Sequence, residues 1–86
     1  MRLWRVYDGI HTHIYIGKNR EEVLAKHGRD LGDDPCIYTY SDDAMIQLDD
    51  EDKCGPIRKR AKEWVREYGE GLLASTKYYG KGYTPV

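Results

Sequence analysis

The sequence predicts a small α+β domain, with a mostly antiparallel sheet and two helices on one face of it. Segments near the N-terminus alternate apolar and polar residues as strands do, and a later segment repeats apolar residues at helical spacing. The 86 residues suffice for one domain with a small core. We expect the order β-β-α-β-β-α, followed by a short fifth strand or a segment lying against the sheet. Residues 1–80 are assigned to the domain and residues 81–86 to a loose tail.

The N-terminal segment predicts a β-hairpin. Residues 3–7 are rich in aromatic and β-branched side chains, and Asp8-Gly9 is a dipeptide that favours a tight turn. Residues 10–17 alternate, so that their isoleucines share one face, which we expect to point into the core. The opposite face of this strand carries His11, His13 and Tyr15.

The middle of the chain predicts one helix and two strands. Asn19 suits the N-cap position and Glu22 the third helical position, which favours a helix over residues 20–27. Residues 36–40 have the aromatic and β-branched composition of a strand, and residues 44–48 are the predicted fourth strand.

A proline opens the second predicted helix. Pro56 suits the first helical position, and the apolar residues that follow define a single stripe along the helix. The stripe consists of Ile57, Ala61, Trp64, Val65 and Tyr68. Gly69 is a natural helix end. We expect Trp64 to be largely buried against the sheet.

Composition limits the classes of function. Fourteen basic and fifteen acidic residues leave a net charge of −1, which indicates no general attraction to nucleic acid or to an anionic membrane. No apolar run has the length of a membrane span or of a signal-peptide core, so we expect a cytoplasmic protein. Cys36 and Cys54 are then expected to be reduced thiols.

No standard catalytic or metal-binding set is apparent. His11 and His13, two residues apart on one strand face, could share a metal ion, although no three ligands have the usual spacing. A third ligand would come from Asp8, His27 or Cys36. Ser75 and Thr76 are the best-placed hydroxyl groups, and the histidines are the nearest candidate bases, but no catalytic motif surrounds them. We therefore predict no enzyme activity, no cofactor and no structural metal.

Tyrosine is the most distinctive residue type. The chain has eight tyrosines and no phenylalanine, and tyrosine provides large, stiff contact areas at protein interfaces. If both helices cover the isoleucine side, the open side of the sheet carries an aromatic patch suited to a partner or to a two-fold homodimer. The alternative is that the rings only pack. The predicted contact residues on the sheet are Tyr7, His11, His13, Tyr15, Tyr38 and Tyr40.

A second candidate surface is basic and lies on the solvent side of the second helix. Basic side chains beside tyrosines could contact phosphates and stack bases. The predicted contact residues here are Arg58, Lys59 and Lys62. Glu63 and Glu67 interrupt this stripe and can pair with neighbours on the same helix, which favours a solvated helix face over a nucleic-acid site.

The C-terminal fifth of the chain resembles a group of small open reading frames, many of them from phages and prophages, that has no known activity. These end in a pattern like A-E-W-x-x-x-x-G-x-G-x-L-x-S-T-x-Y. The matching residues are Ala61, offset by one position, and Glu63, Trp64, Gly69, Gly71, Leu73, Ser75, Thr76 and Tyr78.

The resemblance implies a phage accessory protein in the host cytosol that acts by binding. Some small proteins of this origin inhibit host defence complexes such as CRISPR complexes. The expected partner is a host protein or a protein–nucleic-acid complex, with no membrane involvement. The alternatives are a nucleic-acid-binding module that uses the tyrosines and the basic helix face, or a small metal protein or enzyme.

Overall fold

The computed structural model describes residues 1–7, 9–27, 36–50, 56–76 and 83–85. They form one curled, mostly antiparallel sheet of seven strands with two helices. In chain order the strands are β1 (Arg2–Tyr7), β2 (Thr12–Gly17), β3 (Cys36–Thr39), β4 (Met45–Asp50), β5 (Pro56–Arg60), β6 (Gly71–Ser75) and β7 (Tyr83–Pro85). Helix α1 spans Arg20–His27 and helix α2 spans Ala61–Tyr68. The spatial order is β3-β1-β2-β6-β7-β4-β5, which places β3 and β5 at the two edges.

The predicted α+β class is confirmed, whereas the predicted order lacks two strands. The expected fifth strand after the second helix is present as β6. The additional strands are β5, which replaces the beginning of the predicted second helix, and β7, which lies in the predicted tail. Neither helix in the described part of the chain has the length and apolar character needed to cross a membrane.

The predicted hairpin of β1 and β2 is present, but its connection is longer than a two-residue turn. Tyr7 pairs with Thr12 at the end of the hairpin. The strand therefore begins two residues after Ile10, which is exposed and does not point into the core as predicted. Gly9 in this connection has a φ of +100°, a backbone conformation that favours glycine.

Helix α1 has the predicted bounds because its N-terminus is capped as expected. The Glu22 N–H donates to Asn19 Oδ1 at 2.8 Å. The Val23 N–H donates to the Asn19 carbonyl at 3.1 Å, which is the first backbone bond of the helix. Val23 is buried against the sheet.

Gly17 allows α1 to approach β2 closely. A Cβ atom at Gly17 would lie 2.7 Å from Val23 Cγ2, too close for two side-chain carbons. The Gly17 carbonyl also accepts a hydrogen bond from Trp4 Nε1 at 3.1 Å, which limits any movement of the strand away from the helix.

We expect Gly17→Ala to lower the free energy of unfolding by about 1–3 kcal/mol, because the added methyl group overpacks this contact. Urea denaturation followed by circular dichroism measures the change. The double variant Gly17→Ala/Val23→Ala is the control, since it removes the clashing Cγ2 atom. The double variant should lose less stability than the sum of the losses in Gly17→Ala and Val23→Ala alone. A loss equal to that sum would contradict the contact.

Residues 56–60 form a strand, so the predicted helix entry at Pro56 is wrong. Half-buried Ile57 and Lys59 alternate with exposed neighbours, which is the period of a strand. β5 pairs with β4 over five residue pairs, and this pairing satisfies backbone groups that an isolated first helical turn would leave without partners.

Helix α2 begins at Ala61 because its first N–H groups find acceptors there. The Arg60 N–H donates to the Glu63 carboxylate at 2.9 Å. The N–H groups of Ala61 and Lys62 donate to carbonyls of the β3–β4 connection, at 2.9 Å and 3.1 Å. The helix ends at Gly69 as predicted, where φ is +68°.

The two helices lie on opposite faces of the sheet, which contradicts the prediction that both cover one face. We call these the α1 face and the α2 face. The core of the α2 face includes Leu3, Ile14, Ile16, Trp64, Leu73 and Tyr83. The core of the α1 face consists of Val6, Tyr15 and Val23, with Trp4, Leu24, Ile37 and Leu72 packed beside them. Since successive strand residues point to opposite faces, Tyr15 is buried on the α1 face although its neighbours belong to the other core.

The predicted loose tail contains a strand in the interior of the sheet. β7 forms three antiparallel residue pairs with β4 and one parallel pair, Ala74 with Tyr83, to β6. Tyr83 is buried, with its ring centroid 5.0 Å from that of Trp64 and 5.5 Å from that of Tyr68. β7 therefore joins the β3-β1-β2-β6 part of the sheet to the β4-β5 part.

Candidate functional site

The structure separates the nine predicted contact residues into three groups. The first group, near the β3 edge of the α2 face, is Tyr7, Tyr38 and Tyr40. The second group, around β2 and β6, is His11, His13 and Tyr15. The third group, on β5 and α2, is Arg58, Lys59 and Lys62. The single open tyrosine face predicted from the sequence is wrong, because Tyr15 is buried on the opposite side of the sheet from Tyr38 and Tyr40.

Strand pairing assembles the first group around an arginine. β1 and β3 place Arg5 opposite Tyr38, and they place Tyr7 opposite Cys36, so these side chains share the α2 face. Tyr7 is 47% exposed and Tyr38 is 49% exposed. Tyr40 follows β3 and packs partly against the core of this face. We call Arg5, Tyr7, Tyr38 and Tyr40 the tyrosine–arginine patch.

A hydrogen bond fixes the arginine within this patch. Arg5 Nη1 donates to the Tyr40 hydroxyl at 3.1 Å, and the Tyr38 ring meets the Tyr40 ring edge-on at 5.7 Å between centroids. The hydrogen bond to Tyr40 raises the pKa of Arg5, and burial raises the pKa of Tyr40. At neutral pH the pair is therefore a guanidinium cation bonded to an uncharged phenol.

The charge of Arg5 is not neutralised by any described neighbour. The ion pairs found in the described part of the chain are Lys59–Glu67 and Lys62–Asp43, and neither involves Arg5. A guanidinium carries five N–H donors, and Arg5 uses one of its nitrogens for the bond to Tyr40. It therefore retains donors for an external carboxylate or phosphate.

The second group contains a buried pair of a histidine and a serine. His13 lies opposite Ser75 on the paired strands β2 and β6, with 2.8 Å between Nδ1 and Oγ. His11 Nδ1 lies 3.2 Å from Thr76 Oγ1 in the same way. The sequence prediction that these two hydroxyl groups have histidines as their nearest bases is confirmed in both cases.

Burial limits what this pair can do. A hydroxyl bonded to an imidazole is the arrangement of a nucleophile and its general base. His13 is 0% exposed and Ser75 is 4% exposed, so the described residues leave almost none of this pair accessible to a substrate. The pair instead satisfies two polar side chains within the sheet.

We expect Ser75→Ala to lower the free energy of unfolding by about 1–3 kcal/mol, because it removes a hydrogen-bond partner from a buried imidazole. The neighbouring variant Thr76→Ala is the matched control. Its hydroxyl group bonds to Thr12 and His11 at the exposed end of the same strands, where water can replace it. Thermal unfolding of both variants measures the difference, and equal losses would contradict a special role for the buried pair.

The two histidines considered as metal ligands each have a hydroxyl group beside Nδ1. Their ring centroids lie 6.4 Å apart, and each Nδ1 faces a hydroxyl group. Cys36 is exposed on β3, on the far side of β1 from β2. No group of three metal-ligating side chains is found among the residues that the structure describes. Asp8, another of the candidate third ligands, lies outside those residues.

The basic residues do not form the predicted helix stripe. Arg58 and Lys59 are consecutive in β5 and therefore point to opposite faces. Lys59 lies over the Trp64 ring, 4.8 Å from its centroid, and forms an ion pair with Glu67. Two further bonds engage the other cations: Lys62 with Asp43 at 3.3 Å, and Arg58 with Gln47 at 3.2 Å.

The comparisons with known proteins leave this geometry as the guide to function. Neither family models, nor curated proteins, nor solved structures give a match to the chain.

The sequence prediction omits Arg5, although alternation along β1 places it on the same face as Tyr7. Its contact with Tyr40 depends on the pairing of β1 with β3, which the sequence pattern does not specify.

Proposed function

We propose that this protein is a phage-type accessory protein that binds a host complex through the tyrosine–arginine patch, and that the complex serves host defence, as CRISPR complexes do. The observation that carries the binding proposal is the Arg5–Tyr40 hydrogen bond, which holds a charged guanidinium beside two exposed tyrosine rings. The resemblance of residues 61–79 to phage and prophage reading frames supports the host setting.

The composition of the patch is that of an interface centre. Tyrosine and arginine are enriched among the residues that dominate binding energies. Tyr7 and Tyr38 present stiff rings, and Tyr7 is further oriented by a hydrogen bond from its hydroxyl group to the Gly9 carbonyl at 3.0 Å. Side chains ordered before binding lose less conformational entropy when a partner docks.

The charge of the patch indicates the chemistry of the partner surface. Arg5 is a cation without an acidic neighbour among the described residues, so a carboxylate of the partner can complete its bonding. Arg5 is half-buried, and an ion pair is stronger at such a position than in bulk water. The proposed partner surface is a protein surface with an acidic side chain flanked by apolar groups.

Nucleic-acid binding is the second candidate, because a guanidinium beside tyrosines also suits a phosphate and a stacked base. It ranks below protein binding since Lys59 and Lys62 already form ion pairs within the chain. The net charge of −1 also provides little counterion-release driving force. The third candidate, a small metal protein or enzyme, has only the buried pair of His13 and Ser75 to support it.

The experiment is a plating assay on bacteria whose CRISPR system targets the infecting phage. The protein is expressed as the wild type, as the patch variant Arg5→Ser/Tyr7→Ser, and as the control variant Met45→Ser/Arg58→Ser. Met45 and Arg58 are exposed on the α1 face of β4 and β5, away from the patch. The wild type and the control should raise the efficiency of plating, and the patch variant should not.

Two results of this assay would contradict the proposal. If the wild type leaves plating at the level of an empty vector, inhibition of that defence system is wrong. If the patch variant raises plating as the wild type does, the patch is not the inhibitory surface. Circular dichroism of the purified variants tests whether both remain folded.

A further inference from the structure

We infer that the protein forms a two-fold homodimer by antiparallel pairing of β3 with β3 of a second copy. β3 is the last strand on its side of the described sheet, and it pairs only with β1. An edge strand presents a row of backbone N–H and C=O groups that can pair with another chain. The four residues of β3 are therefore a template for a further strand.

The backbone groups at this edge belong to Ile37 and Thr39. The Tyr40 N–H donates to the Leu3 carbonyl at 3.1 Å, so the backbone of Tyr40 turns towards β1. In an antiparallel pair successive residues direct these groups to alternate sides, so those of Tyr38 also turn towards β1. Ile37 and Thr39 turn theirs away from β1, which provides two donors and two acceptors at this edge of the described sheet.

The two edges of the sheet differ in their protection against pairing. β5 contains Pro56 and three consecutive cations, and both features keep an edge strand from adding a neighbour. β3 contains no charged residue and no proline, and its register with β1 is uninterrupted. Two copies of β3 can meet without charge repulsion, whereas two copies of β5 would bring their cations together. Of the two edges, β3 is therefore the one that can accept a second copy of itself, and a second copy is the occupant we infer.

A two-fold axis through Tyr38 gives the most complete pairing. It places Ile37 of each copy opposite Thr39 of the other, and these pairs exchange all the backbone hydrogen bonds that the edge offers. It also places Tyr38 opposite the second copy's Tyr38, as a pair whose side chains approach most closely. Tyr38 is 49% exposed, so its ring has the free surface for this contact.

The dimer places two tyrosine–arginine patches on one surface. In a sheet that continues across the axis, the α2 face of one copy extends into the α2 face of the other. The two Arg5 side chains then flank the central pair of Tyr38 rings. Use of this joined surface for bivalent binding rests on the proposed function, whereas the dimer itself does not.

The first test exploits the self-contact at the axis. Tyr38→Glu and Tyr38→Lys each place like charges opposite each other, so each variant alone should dimerise about tenfold more weakly or worse. An equimolar mixture of the two variants should recover the dimer, because the charges are then opposite. Sedimentation equilibrium of the full chain measures both effects. Met45→Glu and Met45→Lys are the matched controls, since Met45 is 54% exposed on β4, and should dimerise as the wild type does.

A crosslink provides a second, independent measurement. With Cys36 and Cys54 replaced by serine, Tyr38→Cys should form a disulfide-linked dimer on mild oxidation, because the Cα atoms of such a cross-strand pair lie about 4.5 Å apart. Met45→Cys in the same background should stay monomeric on a denaturing gel.

Each contrary outcome overturns the inference. A wild type that is monomeric at every concentration excludes the dimer. A dimer that persists in both charged variants, or a mixture that fails to associate, excludes this interface. Failure of the proposed function appears in the plating assay instead, as a wild type that leaves plating at the level of an empty vector or as a patch variant Arg5→Ser/Tyr7→Ser that still raises it. Neither result depends on the dimer, so the two failures are distinguishable.

Discussion

Trp64→Ala is expected to lower the free energy of unfolding by about 3–5 kcal/mol, a large part of the total stability of a domain of this size. Trp64 is fully buried at the centre of the α2-face core. Its ring stacks on Tyr68 with 5.9 Å between centroids, and its Nε1 donates to the Ile46 carbonyl at 3.2 Å. The substitution removes both the packing and this link from α2 to β4.

The control for this prediction is Trp64→Phe. It keeps an aromatic ring in the core but loses the bond to the Ile46 carbonyl, so it should cost about 1–3 kcal/mol. Urea denaturation followed by circular dichroism gives both values. An unchanged unfolding midpoint for Trp64→Ala would contradict the assignment of α2 to the core.

Tyr83→Ala is expected to cost about 3–5 kcal/mol, because it removes a buried ring from the strand that joins the two parts of the sheet. The Tyr83 ring meets the rings of Trp64 and Tyr68, and the only parallel pairing in the described sheet is that of Tyr83 with Ala74. Hydrogen exchange should show the amides of β4 and β6 losing protection together. Unchanged stability would mean that β7 contributes little to the sheet.

The matched control is Tyr83→Phe, which retains the ring and loses only the hydroxyl bond to Tyr68. It should cost about 1 kcal/mol.

Burial raises the pKa of Tyr68, and the hydrogen bond with Tyr83 raises it further. A raised pKa in the folded state contributes stability at neutral pH that is lost as the pH rises above about 10, the value in the unfolded chain. The wild type should therefore lose stability in alkaline solution.

The sequence predicts correctly those helix ends that are fixed by residues next to them in the chain. Asn19 and Glu22 define the start of α1, and Gly69 defines the end of α2, because caps and left-handed glycines act within one turn of the helix. Trp64 was identifiable as core because the apolar stripe of α2 is centred on it.

The strand β5 could not be separated from a helix start by pattern alone. Pro56 suits both the first position of a helix and an edge strand. Ile57 lies four residues before Ala61, which continues a helical stripe, and two residues before Lys59, which continues a strand. The pairing with β4 decides between them, and that pairing is a tertiary contact.

The candidate site was predictable in its residue types but not in its arrangement. Alternation separated Tyr15 from the isoleucines, yet it could not reveal that α1 covers the face of Tyr15. The bond between Arg5 and Tyr40 joins residues 35 positions apart, so it exists only once β1 and β3 have paired. Tyr83 carries no local signal for a three-residue strand, because its neighbours in the sheet lie far away in the sequence.

The most direct measurement of the central claim is quantitative mass spectrometry of the host proteins retained by the tagged protein from a bacterial lysate. The wild type, Arg5→Ser/Tyr7→Ser and Met45→Ser/Arg58→Ser are compared at equal loading. We predict that one host complex is retained by the wild type and by the Met45/Arg58 control, and is lost with the Arg5/Tyr7 variant. Equal retention of that complex by all three proteins, or the absence of any protein specific to the wild type, would contradict binding through the tyrosine–arginine patch.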